Sequence, residues 1–185
     1  VSGDLVPDDL SRHLDAGPAD VPIGVSFIMP FLSGAAAEDA ARRCALVEFF
    51  WADTSSELVD RVHAGGAKCS WQVGSLDEAR AAADAGCDLV VAQGVEAGGH
   101  VRGTTPALDL VAAVCDSVDV PVVAAGGFGD ARRIATALEL GAAAVRVGTR
   151  FLAATESAAH PDYVERLTAA SADEPGLTAA FGPGW

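Results

Sequence analysis

The stretch VVAQGVEAGGHVRG, Val90–Gly103, brings together a carboxamide (Gln93), a carboxylate (Glu96), four glycines and the imidazole of His100. Histidine titrates near neutral pH, so it can take a proton from a substrate or stabilise a developing anion. The Gly98-Gly99 pair before it permits tight turns and leaves room for a flat ligand. A structural loop residue is the plain alternative for His100. Glu96 can orient the imidazole or bond to backbone N–H groups. The other three histidines suit other roles: His13 reads as a surface residue, His63 as a helix-end residue facing dipole or solvent, and His160 as a turn residue before Pro161. The chain has neither a Ser-His-Asp arrangement worth defending nor an H-E-x-x-H motif.

Two more stretches carry binding chemistry. AAGGFGDARR ends an apolar run with Gly126-Gly127 and opens a helix near Gly129. Glycine lets backbone approach a ligand closely, and the free N–H groups of a helix start favour an anion. VRVGTRF follows with Gly148-Thr149-Arg150, whose hydroxyl and N–H groups can donate to the same anion. Two such loops in succession match the phosphate site after the last two strands of an eight-stranded barrel; ordinary tight turns are the alternative. Arg150 suits the phosphate or a structural ion pair. Arg132 and Arg133, at a helix start, are expected in solvent.

These loops need a scaffold. Strands are expected at Val21–Pro30, Leu46–Ala52, Lys68–Gly74, Asp88–Gly94, Val120–Gly127 and Ala143–Leu152. The runs are mostly continuous rather than alternating, as in strands buried on both faces. Helix patterns lie between them. SLDEARAAADAG is the clearest, with Ser75 as cap, Glu78 three residues on, and Gly86 at the stop. GDARRIATALELGA, SSELVDRVHAGG, ALDLVAAVCDS and HPDYVERLTAAS repeat the scheme, with a weaker helix around Ala36–Ala45. The tail SADEPGLTAAFGPGW is expected to be irregular. Alternation of this kind predicts an α/β fold with a parallel sheet, and polar or glycine endings on successive strands favour a (βα)8 TIM barrel over an open sheet.

Counting back from the phosphate loops makes Val21–Pro30 the third strand. The expected fold is therefore a barrel apparently lacking its first two strands, in a single domain over residues 1–185 that is incomplete at the N-terminus and also at the C-terminus. VPDDLSRHLDAG reads as the helix before the third strand. Loss of two strands would remove burial on the order of 10 kcal/mol, comparable with a domain's net stability of roughly 5–15 kcal/mol.

Composition excludes several classes. A net charge of −14 and a pI near 4.4 repel nucleic acid and anionic membranes. No apolar run approaches a membrane span, and no signal segment is visible, so the expected location is cytoplasmic. Cys44, Cys69, Cys87 and Cys115 are scattered without CxxC spacing, so no metal site is expected and the thiols read as buried and reduced.

DLVVAQGVEAGGHVRG, VPVVAAGGFGDARRIATALELGAAAVRVGTRFLA and ESAAHPDYV closely resemble the nitronate monooxygenase (nitropropane dioxygenase) family, from about VPIGVSF onward. The resemblance implies an FMN-dependent (βα)8 barrel that oxidises alkyl nitronates, and often nitroalkanes, with O2. It implies that His100 is the catalytic base or holds the nitronate. It places Gln93, Gly98 and Gly99 at the flavin, and Gly126, Gly127, Val147, Gly148 and Thr149 at its phosphate. Ser26 stands where the family commonly has asparagine beside the flavin, and Gln72 faces flavin or substrate. The family's first strand is absent, the loop reads GGHVRG against a shorter GGHRG, and the usual continuation after GW is absent. Expected partners are a small nitronate or nitroalkane and O2, with a homo-oligomer left open. Two alternatives stand beside this reading. One is a flavin-type enoyl-acyl-carrier-protein reductase, which shares the Gly-Gly-His turn and phosphate loops but carries a glutamate near Gln93. The other is a truncated, non-catalytic barrel remnant.

Overall fold

Every apolar run expected as a strand contributes one strand to a single parallel sheet. The computed structural model describes residues 7–17 and 20–171. After helix α1 (Pro7–Asp15) come β1 (Gly24–Ile28), α2 (Gly34–Arg43), β2 (Leu46–Phe50), α3 (Ser56–Gly65), β3 (Lys68–Val73) and α4 (Leu76–Asp84). Then follow β4 (Leu89–Gln93), α5 (Ala107–Cys115), β5 (Val122–Ala125), α6 (Ala131–Glu139), β6 (Ala144–Arg146) and α7 (Pro161–Ala169). The six strands lie side by side in chain order, each parallel to the next.

Side chains alternate across each strand. One face carries Phe27, Val47, Phe49, Cys69, Trp71, Val90, Ala92, Val122 and Ala124, which form the main core with Ala40, Val59, Val62, Ala79, Ala82, Leu110 and Val114 of the helices. Phe27, Phe49 and Trp71 stack in series within it, with ring centroids 6.2 and 5.1 Å apart. The other face carries Ser26, Glu48, Ser70, Gln72, Gln93 and Arg146. Register pairs Ser26 with Glu48 and Glu48 with Ser70.

The sheet curls towards that polar face. Four strand steps separate β2 from β6, which in a flat sheet is about 19 Å at roughly 4.8 Å per step. Yet Arg146 Nη1 donates to Glu48 Oε1 at 2.8 Å. Only a curled sheet, a half-barrel, lets those side chains meet.

Three expectations need correction. The strand expected over Ala143–Leu152 stops at Arg146, and Thr149–Ala153 is a 3-10 turn. Gly148, at φ −112° and ψ −64°, leaves the extended region and breaks the run. Pro30, which lacks an N–H, likewise sits in a 3-10 turn over Met29–Phe31, so β1 ends at Ile28. Burial on both faces holds for β2, β3 and β4 beyond their first residues, whereas in β1 only Phe27 is buried and β6 has no buried residue. They are the outer strands, and the described residues provide nothing to pair their far sides.

The cysteines are free thiols, three buried and Cys115 half-buried. Among the described residues no cluster suits a metal ion, and no helix is long and apolar enough to cross a membrane. The tail expected to be irregular lies, beyond Ser171, outside the described residues.

Candidate active site

The loop from Gly94 to Pro106 leaves the C-terminal end of β4 and is tied down along its length. Gln93, the last residue of that strand, donates from Nε2 to the carbonyl oxygen of His100 at 2.9 Å. The Val95 N–H donates to the carbonyl of Thr105 and closes the base. Glu96 is held by the start of α5 and by Arg133. Its carboxylate accepts from the Ala107 N–H at 2.8 Å and from Arg133 Nη2 at 2.9 Å. Burial works to raise the Glu96 pKa, but bonds from its own N–H, from Ala107 and from Arg133 outweigh it and hold the group below its ordinary value. Arg102 fastens the far arm by donating to Glu78 and, at 2.8 Å, to Asp53. There the backbones touch: a Cβ on Gly103 would lie 2.0 Å from the Gly74 carbonyl oxygen.

The half-buried His100 ring packs against Trp51 in a T-shaped contact, with centroids 5.7 Å apart and planes at 76°. Trp51 sits just beyond β2 with φ +72°, left-handed backbone that a bulky residue rarely adopts. Sequence reasoning gave Trp51 no role, and an aromatic ending an apolar run gives no signal that it will face a histidine.

The glycine loops converge on the same end. Gly126 and Gly127 have φ of +101° and +71°. A Cβ on Gly126 would lie 2.9 Å from the Gly94 carbonyl oxygen, and one on Gly98 would lie 2.5 Å from Thr149 Oγ1. The loops after β4, β5 and β6 are thus in contact, with Val147 half-buried and Gly148 and Thr149 exposed. Two details differ from expectation. The start of α6 is not free for an anion alone, because Asp130 Oδ1 accepts from the Arg133 N–H at 3.0 Å. Arg133 is not simply solvated: it binds Glu96 and lies 5.6 Å from the centre of the Phe128 ring, with its Nε buried and unpartnered.

Deeper on the polar face lies a cluster that sequence reasoning missed. Glu48, only 2% exposed, is held by both terminal nitrogens of Arg146, by Ser26 Oγ at 2.8 Å and by Ser70 Oγ at 3.4 Å. Gln72 Oε1 accepts from Arg146 Nη1 at 3.0 Å. A signal was present: LVEFF and AAVRV each place a charge inside an apolar run, and such charges are buried only when paired. Ser26, expected beside the flavin, is exposed, and its hydroxyl donates to Glu48.

The structure therefore brings His100, Gln93, Gly98, Gly126, Gly127 and Thr149 to one end of the sheet and leaves Ser26 and Gln72 in the cluster below. A planar ligand with an anionic tail suits this arrangement. Gln93 is 5% exposed and its Oε1 has no partner, which leaves an acceptor asking for a donor. The glycines at 98, 126 and 127 let the three loops pack closely, where a Cβ would clash with the neighbouring loop.

Residues 23–183 match the family model for nitronate monooxygenase. The chain belongs to the nitronate monooxygenase family. It is similar to a nitronate monooxygenase of Pseudomonas aeruginosa, 40% identical over 144 residues, covering 74% of this chain and 41% of that protein. It is also similar to a (3aS,4S,5R,7aS)-5-hydroxy-7a-methyl-1-oxo-octahydro-1H-indene-4-carboxyl-CoA dehydrogenase of Rhodococcus jostii, 40% identical over 153 residues, covering 79% of this chain and 41% of that protein. Among solved structures, FabK from Thermotoga maritima superposes with a TM-score of 0.87 at 36% identity, covering 97% of this chain and 58% of that one. The chain thus spans less than half the length of these two curated relatives.

Proposed function

We propose that this chain is the flavin-binding part of an FMN-dependent nitronate monooxygenase, with His100 as its catalytic base or nitronate-positioning group. The observation that carries the reading is the buried, unpartnered Gln93 Oε1, on the residue that also holds His100, beside loops whose glycines leave no room for side chains. Gln93, Gly98, Gly99 and Gln72 would lie along the ring. Gly126, Gly127, Val147, Gly148 and Thr149 would take the phosphate through backbone N–H groups and the Thr149 hydroxyl. Ser26 contributes through Glu48. When bound, FMN supplies the two-electron oxidation and the reaction with O2. His100 takes the proton from the nitroalkane carbon at an imidazole nitrogen, or holds the nitronate oxygens. The T-shaped contact with Trp51 limits the motion of its ring. The six strands are the later part of a (βα)8 barrel in one domain, and the remaining length seen in relatives supplies the other two. The substrate is a small nitronate or nitroalkane, the setting is cytoplasmic, and self-association is compatible with the reading.

The test uses the full-length protein. It should purify or reconstitute with a flavin spectrum and consume O2 with an alkyl nitronate. His100→Asn should keep FMN and lose roughly 10²–10⁴-fold in nitroalkane turnover. Colourless protein after FMN addition would sink the reading in favour of a non-catalytic remnant.

The likeness to FabK, together with the similarity to a carboxyl-CoA dehydrogenase, favours a second reading, a flavin-type enoyl-acyl-carrier-protein reductase. NAD(P)H oxidation with an enoyl thioester, without nitronate-dependent O2 uptake, would select it.

A further inference from the structure

The polar cluster fixes which way two side-chain amides face. Gln72 Oε1 lies 3.0 Å from Arg146 Nη1. A guanidinium only donates, so the amide atom turned towards it must be the oxygen. Gln93 Nε2 lies 2.9 Å from the His100 carbonyl oxygen. A carbonyl only accepts, so the atom turned towards it must be the nitrogen. Amide orientation is ordinarily ambiguous, but here each fixed partner settles it.

The consequence is a matched pair. Register aligns Gln72 with Val91, so Gln93 lies one same-face position further along the neighbouring strand. Gln72 has used its acceptor towards Arg146 and offers N–H groups. Gln93 has turned its NH2 group to the His100 loop, which leaves its buried carbonyl oxygen facing the other way without a partner. Arg146 cannot swing away, although its side chain is 41% exposed, because both terminal nitrogens grip the buried Glu48 carboxylate. Ser26 and Ser70 hold that carboxylate in turn.

We propose that Arg146, held across the half-barrel by Glu48, is a positioning residue that locks Gln72 as a hydrogen-bond donor to the bound ring, while Gln93 acts only as an acceptor. The site thereby selects a ring presenting an acceptor beside a donor. This rests on the flavin reading above.

Gln72→Glu in the full-length protein tests it. The carboxylate keeps the size of the side chain and its bond to Arg146, but shows the ring an acceptor and a charge. The protein should still unfold cooperatively, at a somewhat lower temperature because the new carboxylate shares Arg146 Nη1 with Glu48, while the FMN dissociation constant rises about tenfold or more, one hydrogen bond's worth. The midpoint potential of the bound flavin should fall, because a negative charge beside the ring opposes electron uptake. Arg146→Leu should also weaken FMN binding, and adding Gln72→Ala to it should cost little more. Wild-type affinity and potential in Gln72→Glu, or additive losses in the double variant, would overturn the proposal alone. A folded wild-type protein that takes up no FMN would overturn the flavin reading together with it.

Discussion

The side chain of Gln93 donates to the main-chain oxygen of His100 at 2.9 Å, so the end of β4 grips the loop that carries the imidazole. Gln93→Leu removes that grip and the unpartnered Oε1 together. Loss of the bond exposes the loop to motion, while loss of an unsatisfied buried oxygen compensates stability. The expected result is a small change in melting temperature, faster amide exchange across residues 94–103, and nitroalkane turnover reduced about 10–100-fold, from a loss of roughly 1–3 kcal/mol. Unaltered exchange in that loop would show that the contact is not the clamp.

Gly103→Ala attacks the other end of the loop. Its Cβ would lie 2.0 Å from the Gly74 carbonyl oxygen, and backbone cannot rotate aside as a side chain does. The loops must separate, at about 1–3 kcal/mol as in other overpacked sites. Urea unfolding reads this directly, and a neutral result would mean that the two loops part freely.

Gly127→Val tests the phosphate loops. Gly127 has φ +71°, and a Cβ there would lie 2.9 Å from Glu96 Cβ. The substitution strains the turn and pushes on the Glu96–Arg133 pair. FMN titration should show weaker binding than wild type; equal affinity would remove this loop from the cofactor site.

Asp88 links pH to stability at the opposite end of the sheet. Burial raises its pKa, but the Cys69 N–H, His63 and Lys68 outweigh that and hold it below its ordinary value. A depressed carboxyl pKa contributes stability that is fully present above the unfolded value of about 3.9 and is lost as pH falls through the folded value. The stability gap between wild type and Asp88→Asn should therefore be constant at neutral pH and shrink below about pH 4. A gap that does not change on acidification would contradict the assignment. His63, expected to face solvent or dipole, is one of these partners, at 2.9 Å from Asp88 Oδ2, behind the Cys69 N–H in effect.

Glu48→Leu leaves Arg146 without its partner. Because the guanidinium retains access to water, the cost should be about 1–3 kcal/mol, below the 3–5 typical of fully buried pairs. The Glu48→Leu, Arg146→Met double variant should be more stable than the sum of the single losses predicts. Thermal unfolding of all four proteins decides it, with simple additivity as the contrary outcome.

Much of this molecule is legible locally. The helix of SLDEARAAADAG spans Leu76–Asp84, and Ser75 Oγ accepts from the Glu78 N–H at 3.3 Å as a cap should. Even there the tertiary structure adds something. Glu78 accepts from the Gly74 N–H at 2.7 Å and also takes Arg102, which arrives from a loop 24 residues away. Only the short-range part of that arrangement is written in neighbouring residues.

The order of strands and helices, the glycine turns and the candidate histidine follow from the sequence by itself, because periodicity, caps and backbone freedom act over a few residues. The pairing of Glu48 with Arg146, 98 residues apart, does not. Neither do the turn of Glu96 towards Arg133 or the contact of Trp51 with His100. Those depend on how far the sheet curls, and curl is a property of all six strands together. The sequence placed two charges inside apolar runs; only the curl of the sheet decided that they would meet and that Arg146 would fix Gln72.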